Sequence, residues 1–250
     1  MAPISADPQT APKPLNSFTY LTFDVVGTLI DFEGAIKDGL AEIAAAAGKE
    51  VDGEKALTIY RDARYEPDAL LFPDDLGRCF SKIAAEFDLP DTEENRQKMI
   101  DMVGDAKPFP DSVEAMAKLK ARFKLIAMTN AQRWAFDKYA EKLGNPFWAG
   151  FTTDDTGCEK PNPDYFHQVF DFVAKDGGSK DDILHTAQSQ YHDIGISREL
   201  GMSSAWIERR HDQDGYGGTI IPKQFTKPDY HFHALIELAE AAEAEEKATA

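Results

Sequence analysis

The segment Thr19–Asp31 reads Thr-Tyr-Leu-Thr-Phe-Asp-Val-Val-Gly-Thr-Leu-Ile-Asp and constrains the fold more than any other stretch of the chain. Tyr20 to Phe23 is a short apolar run with strand-forming residues, and Gly27 supplies the break that ends it. It reads as a buried strand. Asp24 then stands at the strand's carboxyl end, where open α/β sheets collect their reactive groups. A carboxylate is costly to bury there without a use, which makes nucleophile a natural role. Taken alone, Asp24 reads as well as a turn residue ahead of Gly27. Three later segments decide between the two.

Leu125 to Asn130 (Leu-Ile-Ala-Met-Thr-Asn) is a second apolar strand, ending in a hydroxyl and an amide. Lys160 opens Lys-Pro-Asn-Pro-Asp-Tyr-Phe, a lysine just ahead of a proline-started helix. Ile183 to Asp193 (Ile-Leu-His-Thr-Ala-Gln-Ser-Gln-Tyr-His-Asp) is a third strand followed by a polar loop. Between the first two strands lies a helical block, with helices expected over Glu33–Ala47, Gly53–Tyr65, Pro73–Phe87 and Thr92–Val103. From Pro108 to Ile207 strand and helix alternate, which predicts an α/β fold with a doubly wound parallel sheet. His211–Pro228 reads as a loop, and Tyr230–Ala241 as a last short strand and helix. Residues 1–16 are expected to be a disordered tail and 242–250 an acidic one, with the acids of Glu237–Glu246 serving solubility.

Composition narrows the function. The chain of 250 residues is 42% hydrophobic, enough for one core and a modest inserted unit. Its net charge of -17 argues against nucleic acid and against an anionic membrane surface. A small anionic substrate would need local cations against that field. No apolar run approaches a membrane span, and Met1–Lys13 carries no apolar signal core. Cys79 and Cys158 stand far apart in no metal-like spacing, so a reducing, cytoplasmic location is expected.

An Asp, a Ser/Thr, a Lys and a distal Asp, in this order and each at a strand end or helix start, resemble the four motifs of the haloacid dehalogenase superfamily. The resemblance runs from about Tyr20 to Leu235. It implies a Rossmann-like core (17–32 and 108–241) with an all-helical cap (33–107) inserted after the first strand. Phosphatases of that superfamily carry a second Asp two residues after the nucleophile and bind Mg²⁺ with an acid in the fourth motif. Here those positions hold Val26 and Gln188. A valine cannot protonate a leaving alkoxide, and Mg²⁺ prefers anionic oxygen ligands. Both departures point to substitution at carbon, since a halide leaves without a proton.

The nearest resemblance is therefore to the 2-haloacid dehalogenases, which act on small carboxylic acids without metal or cofactor. It implies Asp24 as nucleophile and Thr28 as its positioner, with Thr129 and Asn130 binding the substrate carboxylate or Asp24. Lys160 would hold Asp24, and Asp193 would orient or deprotonate the hydrolytic water. Arg61 would grip substrate and halide, with Arg64, one turn on, as rival. Gln188, Ser189 and His192 would build a pocket that departs from the usual one, and Phe166 stands where the branch carries Tyr. Asp193 can alternatively cap the next helix, and Arg61 can be a solvated cap arginine. A small-molecule substrate is expected, and pairing into a homodimer, common in that branch, stays open. A relative acting on a non-halogenated molecule, a non-catalytic descendant and a Mg²⁺-dependent phosphatase are the competing readings.

Overall fold

In the computed structural model, which describes residues 12–249, six parallel strands form one sheet. They are β1 (Tyr20–Phe23), β2 (Lys124–Met128), β3 (Ala149–Phe151), β4 (Ile183–Ala187), β5 (Ser203–Ile207) and β6 (Tyr230–Phe232). Their order is β3-β2-β1-β4-β5-β6, so the chain builds one way from β1 and then the other. β1 sits between β2 and β4 with Phe23 opposite Ala127 and Thr186, and all four of its residues are buried. Such a strand must be apolar along its length, which is why Tyr20–Phe23 shows no alternation. The change of direction beside β1 opens a crevice at the strands' carboxyl ends, and Asp24 is the first residue in it.

Four helices separate β1 from β2: α1 (Phe32–Ala46), α2 (Gly53–Ala63), α3 (Leu76–Phe87) and α4 (Glu93–Gly104). The link from β1 is a tight loop in which Leu29 and Ile30 both donate their amides to the Val25 carbonyl. Gly27 has φ +90° there, and a Cβ on it would come within 3.1 Å of the Phe32 ring, so this position requires glycine. Asp31 caps α1, Asp52 caps α2 and Thr92 caps α4, each accepting a backbone amide of the first turn. The block is fastened to the core by Phe72, whose carbonyl accepts from Gln132 N at 2.7 Å and whose ring meets Phe32 edge-on.

The remaining helices are α5 (Ser112–Lys120), α6 (Arg133–Lys142), α7 (Thr153–Thr156), α8 (Pro163–Lys175), α9 (Gly195–Glu199) and α10 (Leu235–Thr249). They flank the sheet. Among the described residues, no helix is long and apolar enough to cross a membrane.

Three expectations need correction. The helix expected from Pro73 begins at Leu76, because the stretch before it is shaped around Asp75, which is bound by Arg64, Arg78 and the Leu70 amide. Residues 242–249 are not a tail, and residue 250 lies outside the described residues: α10 runs through Thr249 and buries Leu235, Leu238, Ala239 and Ala242. That is an i, i+3, i+4, i+7 stripe. Its acids are partly paired, with Glu243 and Glu246 bridged to Arg122. Of the expected N-terminal tail, residues 1–11 lie outside the described residues. Leu15–Ser17 instead forms a 3₁₀ turn with Leu15 buried, and Asn16 donates to the Ala242 carbonyl at 2.9 Å.

Candidate active site

Every strand next to β1 delivers a polar side chain to the same rim. Asp24 follows β1 directly, with its amide still in the sheet ladder through the Thr186 carbonyl. Its Oδ2 accepts from the Thr28 hydroxyl at 2.6 Å, and its Oδ1 accepts from Lys160 Nζ at 2.9 Å. The same Nζ donates to Asp193 Oδ1 at 2.6 Å. A buried lysine thus joins two buried carboxylates. Behind them, the His185 ring contacts Asp193 Oδ1 through Nε2 at 3.0 Å and Thr22 Oγ1 through Nδ1 at 2.8 Å.

Local sequence explains each placement. Lys160 sits on the turn before Pro163, the first residue of α8, and its backbone is clamped by Asn130. The Asn130 amide nitrogen donates to the Lys160 carbonyl at 2.9 Å, and its oxygen accepts the Lys160 amide at 2.8 Å. After β4, Gln190–Ile194 forms a single π-helical turn, closed by Ile194 N to the Ser189 carbonyl. This wider turn carries Asp193 back under Lys160, and such turns are concentrated at functional sites. Asp193 does not cap α9, whose start has no side-chain cap.

Burial pushes the Asp24 carboxyl above its ordinary range, against the opposing pull of Lys160 and the Thr28 hydroxyl. Asp193 is equally buried, yet Lys160 and His185 outweigh that and hold its carboxyl near 2. The difference follows from partners: Asp193 faces both the ammonium and an imidazole, whereas Asp24 faces the ammonium, a hydroxyl and the repulsion of Asp193. For Lys160, burial works against the charge, but Asp193 and Asp24 reverse it and keep the ammonium above its usual value. An Asp24 acting as nucleophile would have to be ionised, so activity would then rise with pH through an acid limb lying above about 4, the ordinary carboxylate value. A pH profile of kcat/KM checks this, and an acid limb at or below that value contradicts it.

A cavity of about 480 Å³ opens over these groups between the rim and the helical block. Asp24, Val26, Thr129, Asn130, Lys160, Gln188, Ser189, His192 and Asp193 all line it. Thr28 does not. It is fully buried, accepting from Gln188 N at 2.8 Å while donating to Asp24, so it can position Asp24 but not touch a ligand. Asn130 reaches the cavity with its amide already taken by Lys160. Gln188 accepts from Thr219 Oγ1 at 3.3 Å, and Ser189 pairs with His192 Nδ1 at 3.2 Å. Burial pushes the His192 imidazole down to about 4, so it is neutral near pH 7.

The arginine expectation is corrected. Arg61 is not among the cavity-lining residues; it bonds Asp62 and reaches toward the Gly217 carbonyl at 3.4 Å. Arg64 lines the cavity. Three residues along a helix is a rotation of about 60° between side chains, enough to separate the two. Arg64 is itself held, donating to Asp75 Oδ2 and to the Leu70 carbonyl, both at 2.6 Å.

Several lining residues were not foreseen, among them Glu159, Tyr65, Tyr191 and Thr219. Glu159, next to Lys160, and Tyr191, inside the stretch Gln188–Asp193, carried a local signal. Tyr65 and Thr219 reach the site from the end of α2 and from the loop after β5, where no motif marks them. Arg209, just past β5, donates to the Thr28 carbonyl at 2.9 Å and so braces the loop that holds Asp24. Phe166 is buried edge-on against the His185 ring, and Tyr165 donates to the Thr129 and Phe151 carbonyls.

Comparison with known proteins places this geometry. At the level of sequence, no curated protein matches the chain. Among solved structures, the L-2-haloacid dehalogenase PA0810 is 22% identical, with a TM-score of 0.72 over 91% of this chain and 99% of that one. The L-2-haloacid dehalogenase of Xanthobacter autotrophicus with chloropropionic acid covalently bound is 20% identical, with a TM-score of 0.67 over 90% and 98%. YfnB from Bacillus subtilis, described as a HAD-hydrolase and bound to magnesium, is 20% identical, with a TM-score of 0.72 over 90% and 99%. At these identities the likeness is one of fold. The model of the haloacid dehalogenase-like hydrolases matches residues 19–181. With more than half the chain inside that match, from the strand before Asp24 past Lys160, this protein belongs to the haloacid dehalogenase-like hydrolases.

Proposed function

We propose that this hydrolase works through an ester on Asp24, most like a 2-haloacid dehalogenase releasing halide from a small carboxylic acid, and does so without a metal. One observation carries the reading: the residue two beyond Asp24 that faces the cavity is Val26, which has no proton to give. A leaving group stable as an anion needs none. The donor set also fits Mg²⁺ poorly. Asp24 already accepts from Thr28 and Lys160, Gln188 offers a neutral amide at the phosphatase position, and Asp193 Oδ1 is taken by Lys160 and His185.

In this scheme Asp24 attacks carbon, the halide departs with the bonding pair, and an ester forms. Water then adds to the ester carbonyl, returning the carboxylate and releasing a hydroxy acid. Asp193 Oδ2, buried and without a hydrogen-bond partner in the structure, is placed to orient that water. His192, on the same cavity wall, is a second candidate to accept the proton, and burial makes it a weak base as well. The test is chloride or fluoride release from 2-chloropropionate enantiomers and fluoroacetate, with p-nitrophenyl phosphate as counter-substrate. Halide release that survives EDTA supports the proposal. Phosphatase activity that EDTA abolishes, with no halide release, overturns it.

A second reading has its own observation. The cations at the cavity are engaged, Lys160 by two carboxylates and Arg64 by Asp75, while Glu159 places a buried, unbonded Oε1 at the wall, 3.8 Å from Arg64. An ionised Glu159 at that wall would repel a substrate carboxylate and suits a neutral group instead. A non-halogenated substrate on the same aspartyl chemistry fits that wall. Glu159→Gln should lower KM for 2-chloropropionate several-fold if the carboxylate reading is right. No change in KM, in an enzyme active on uncharged esters or lactones, favours the second.

A further inference from the structure

We propose that Glu208, His231 and His233 form a binding site for a divalent transition-metal ion at the edge of the sheet, separate from the Asp24 cavity. One ligand atom from each, a carboxylate oxygen and two imidazole nitrogens, lies within 4.8 Å of the other two. Strand geometry accounts for the convergence. His231 lies in β6 and His233 stands just past its end, two residues on, and His231 pairs in register with Trp206, two residues before Glu208. Glu208 N donates to the Phe232 carbonyl at 2.8 Å, extending the ladder so that its side chain falls beside both imidazoles.

The rings are also oriented from behind. His231 stacks on Trp206 at 4.6 Å and 22°, and His233 stacks on His211 at 4.3 Å and 5°. His231 Nε2 stands 2.7 Å from Glu208 Oε2, and His233 Nε2 3.8 Å from the same oxygen. Ligand atoms around a tetrahedral ion sit about 3.4 Å apart for bonds of about 2.0–2.1 Å. Small rotations of these partly exposed side chains reach that arrangement. Two imidazoles and one carboxylate suit Zn²⁺, Ni²⁺ or Cu²⁺ rather than Mg²⁺ or Ca²⁺, and leave a coordination position for water. An ion pair between Glu208 and a protonated His231 explains one of the two contacts but not the aim of the second ring.

The placement gives the ion a purpose. Glu208 leaves β5 and His231 and His233 return at β6, so the ion would close the long segment between them. That segment carries Gly218, Thr219 and Ile220 to the cavity and donates the Gly218 amide to Glu33 of α1 at 2.8 Å. Fastening its base would steady one wall of the site.

The test is Zn²⁺ titration of tag-free, EDTA-treated and dialysed full-length protein, by calorimetry and thermal melting. The expected result is one Zn²⁺ per chain and a melting temperature raised on saturation. Binding should weaken tenfold or more in His231→Asn and His233→Asn, with folding checked by circular dichroism, and Glu208→Gln should weaken it while preserving shape. Asp24→Asn should bind as the parent does. Absence of saturable binding, binding unchanged in both histidine variants, or binding lost in Asp24→Asn each overturns the site.

Discussion

Asp24→Asn is expected to lower turnover by about 10⁴-fold or more, the scale seen when a covalent nucleophile is removed, without unfolding the protein. The substitution is nearly isosteric. Its amide oxygen can still accept from Thr28 or Lys160, and Lys160 keeps Asp193 as counter-ion. Stability should hold or improve. A carboxyl whose pKa is raised in the folded state is one whose charge the fold disfavours, so deleting that charge removes a cost near pH 7. On the aspartyl-ester reading, Asp24 is then a place where activity and stability oppose each other. Two measurements check this: rates beside thermal melts, and intact-mass spectra during turnover. The parent should gain the mass of an ester on the Asp24 peptide and the variant should not. A single turnover in ¹⁸O-water should label Asp24 before product. Label appearing first in product, with no mass gain, would mean direct attack by water and would remove Asp24 from the nucleophile role.

What the sequence disclosed followed physical locality. Tyr20–Phe23, Leu125–Met128 and Ile183–Ala187 are buried on both faces, so each strand is a short, largely apolar run closely followed by the polar residues of the rim. That is why Asp24, Thr129 and Gln188 were all placed on one rim from sequence. Lys160 was visible because a lysine beside two prolines ahead of an apolar helix has few other reasons to be there. The helical block was legible as helices, since caps such as Thr92 are local signals. Its contribution to the site was not. Arg61 and Arg64 differ in sequence only by three positions, and which one faces the cavity depends on how α2 lies over the sheet, a tertiary fact. His185 lies within β4 and bonds Thr22 of β1. Its contact with Asp193 arises from the π-turn at Gln190–Ile194, which no periodicity announces. The acidic end of the chain misled for a related reason: its charge count hid the stripe Leu235, Leu238, Ala239, Ala242 that makes it a packed helix.

Lys160→Met should cost about 3–5 kcal/mol of stability, because it leaves two buried carboxylates facing each other without a cation. For a chain of this size that is a fall in melting temperature of about 10 °C. Activity should fall as well, since an Asp24 left beside Asp193 alone is pushed further toward its neutral form. The pH dependence distinguishes this from simple loss of packing. In the variant both carboxyls carry folded-state pKa values above their unfolded ones, so the folded state binds protons that the unfolded state does not. Stability relative to the parent must then recover as pH falls toward 5, whereas a packing defect would be insensitive to pH. Adding Asp24→Asn and Asp193→Asn to Lys160→Met should recover much of the loss, and the recovery measures the coupling among the three. If Lys160→Met melts with the parent at pH 7, or if its deficit does not shrink on acidification, the three side chains do not share the buried charge cluster on which the aspartyl chemistry depends.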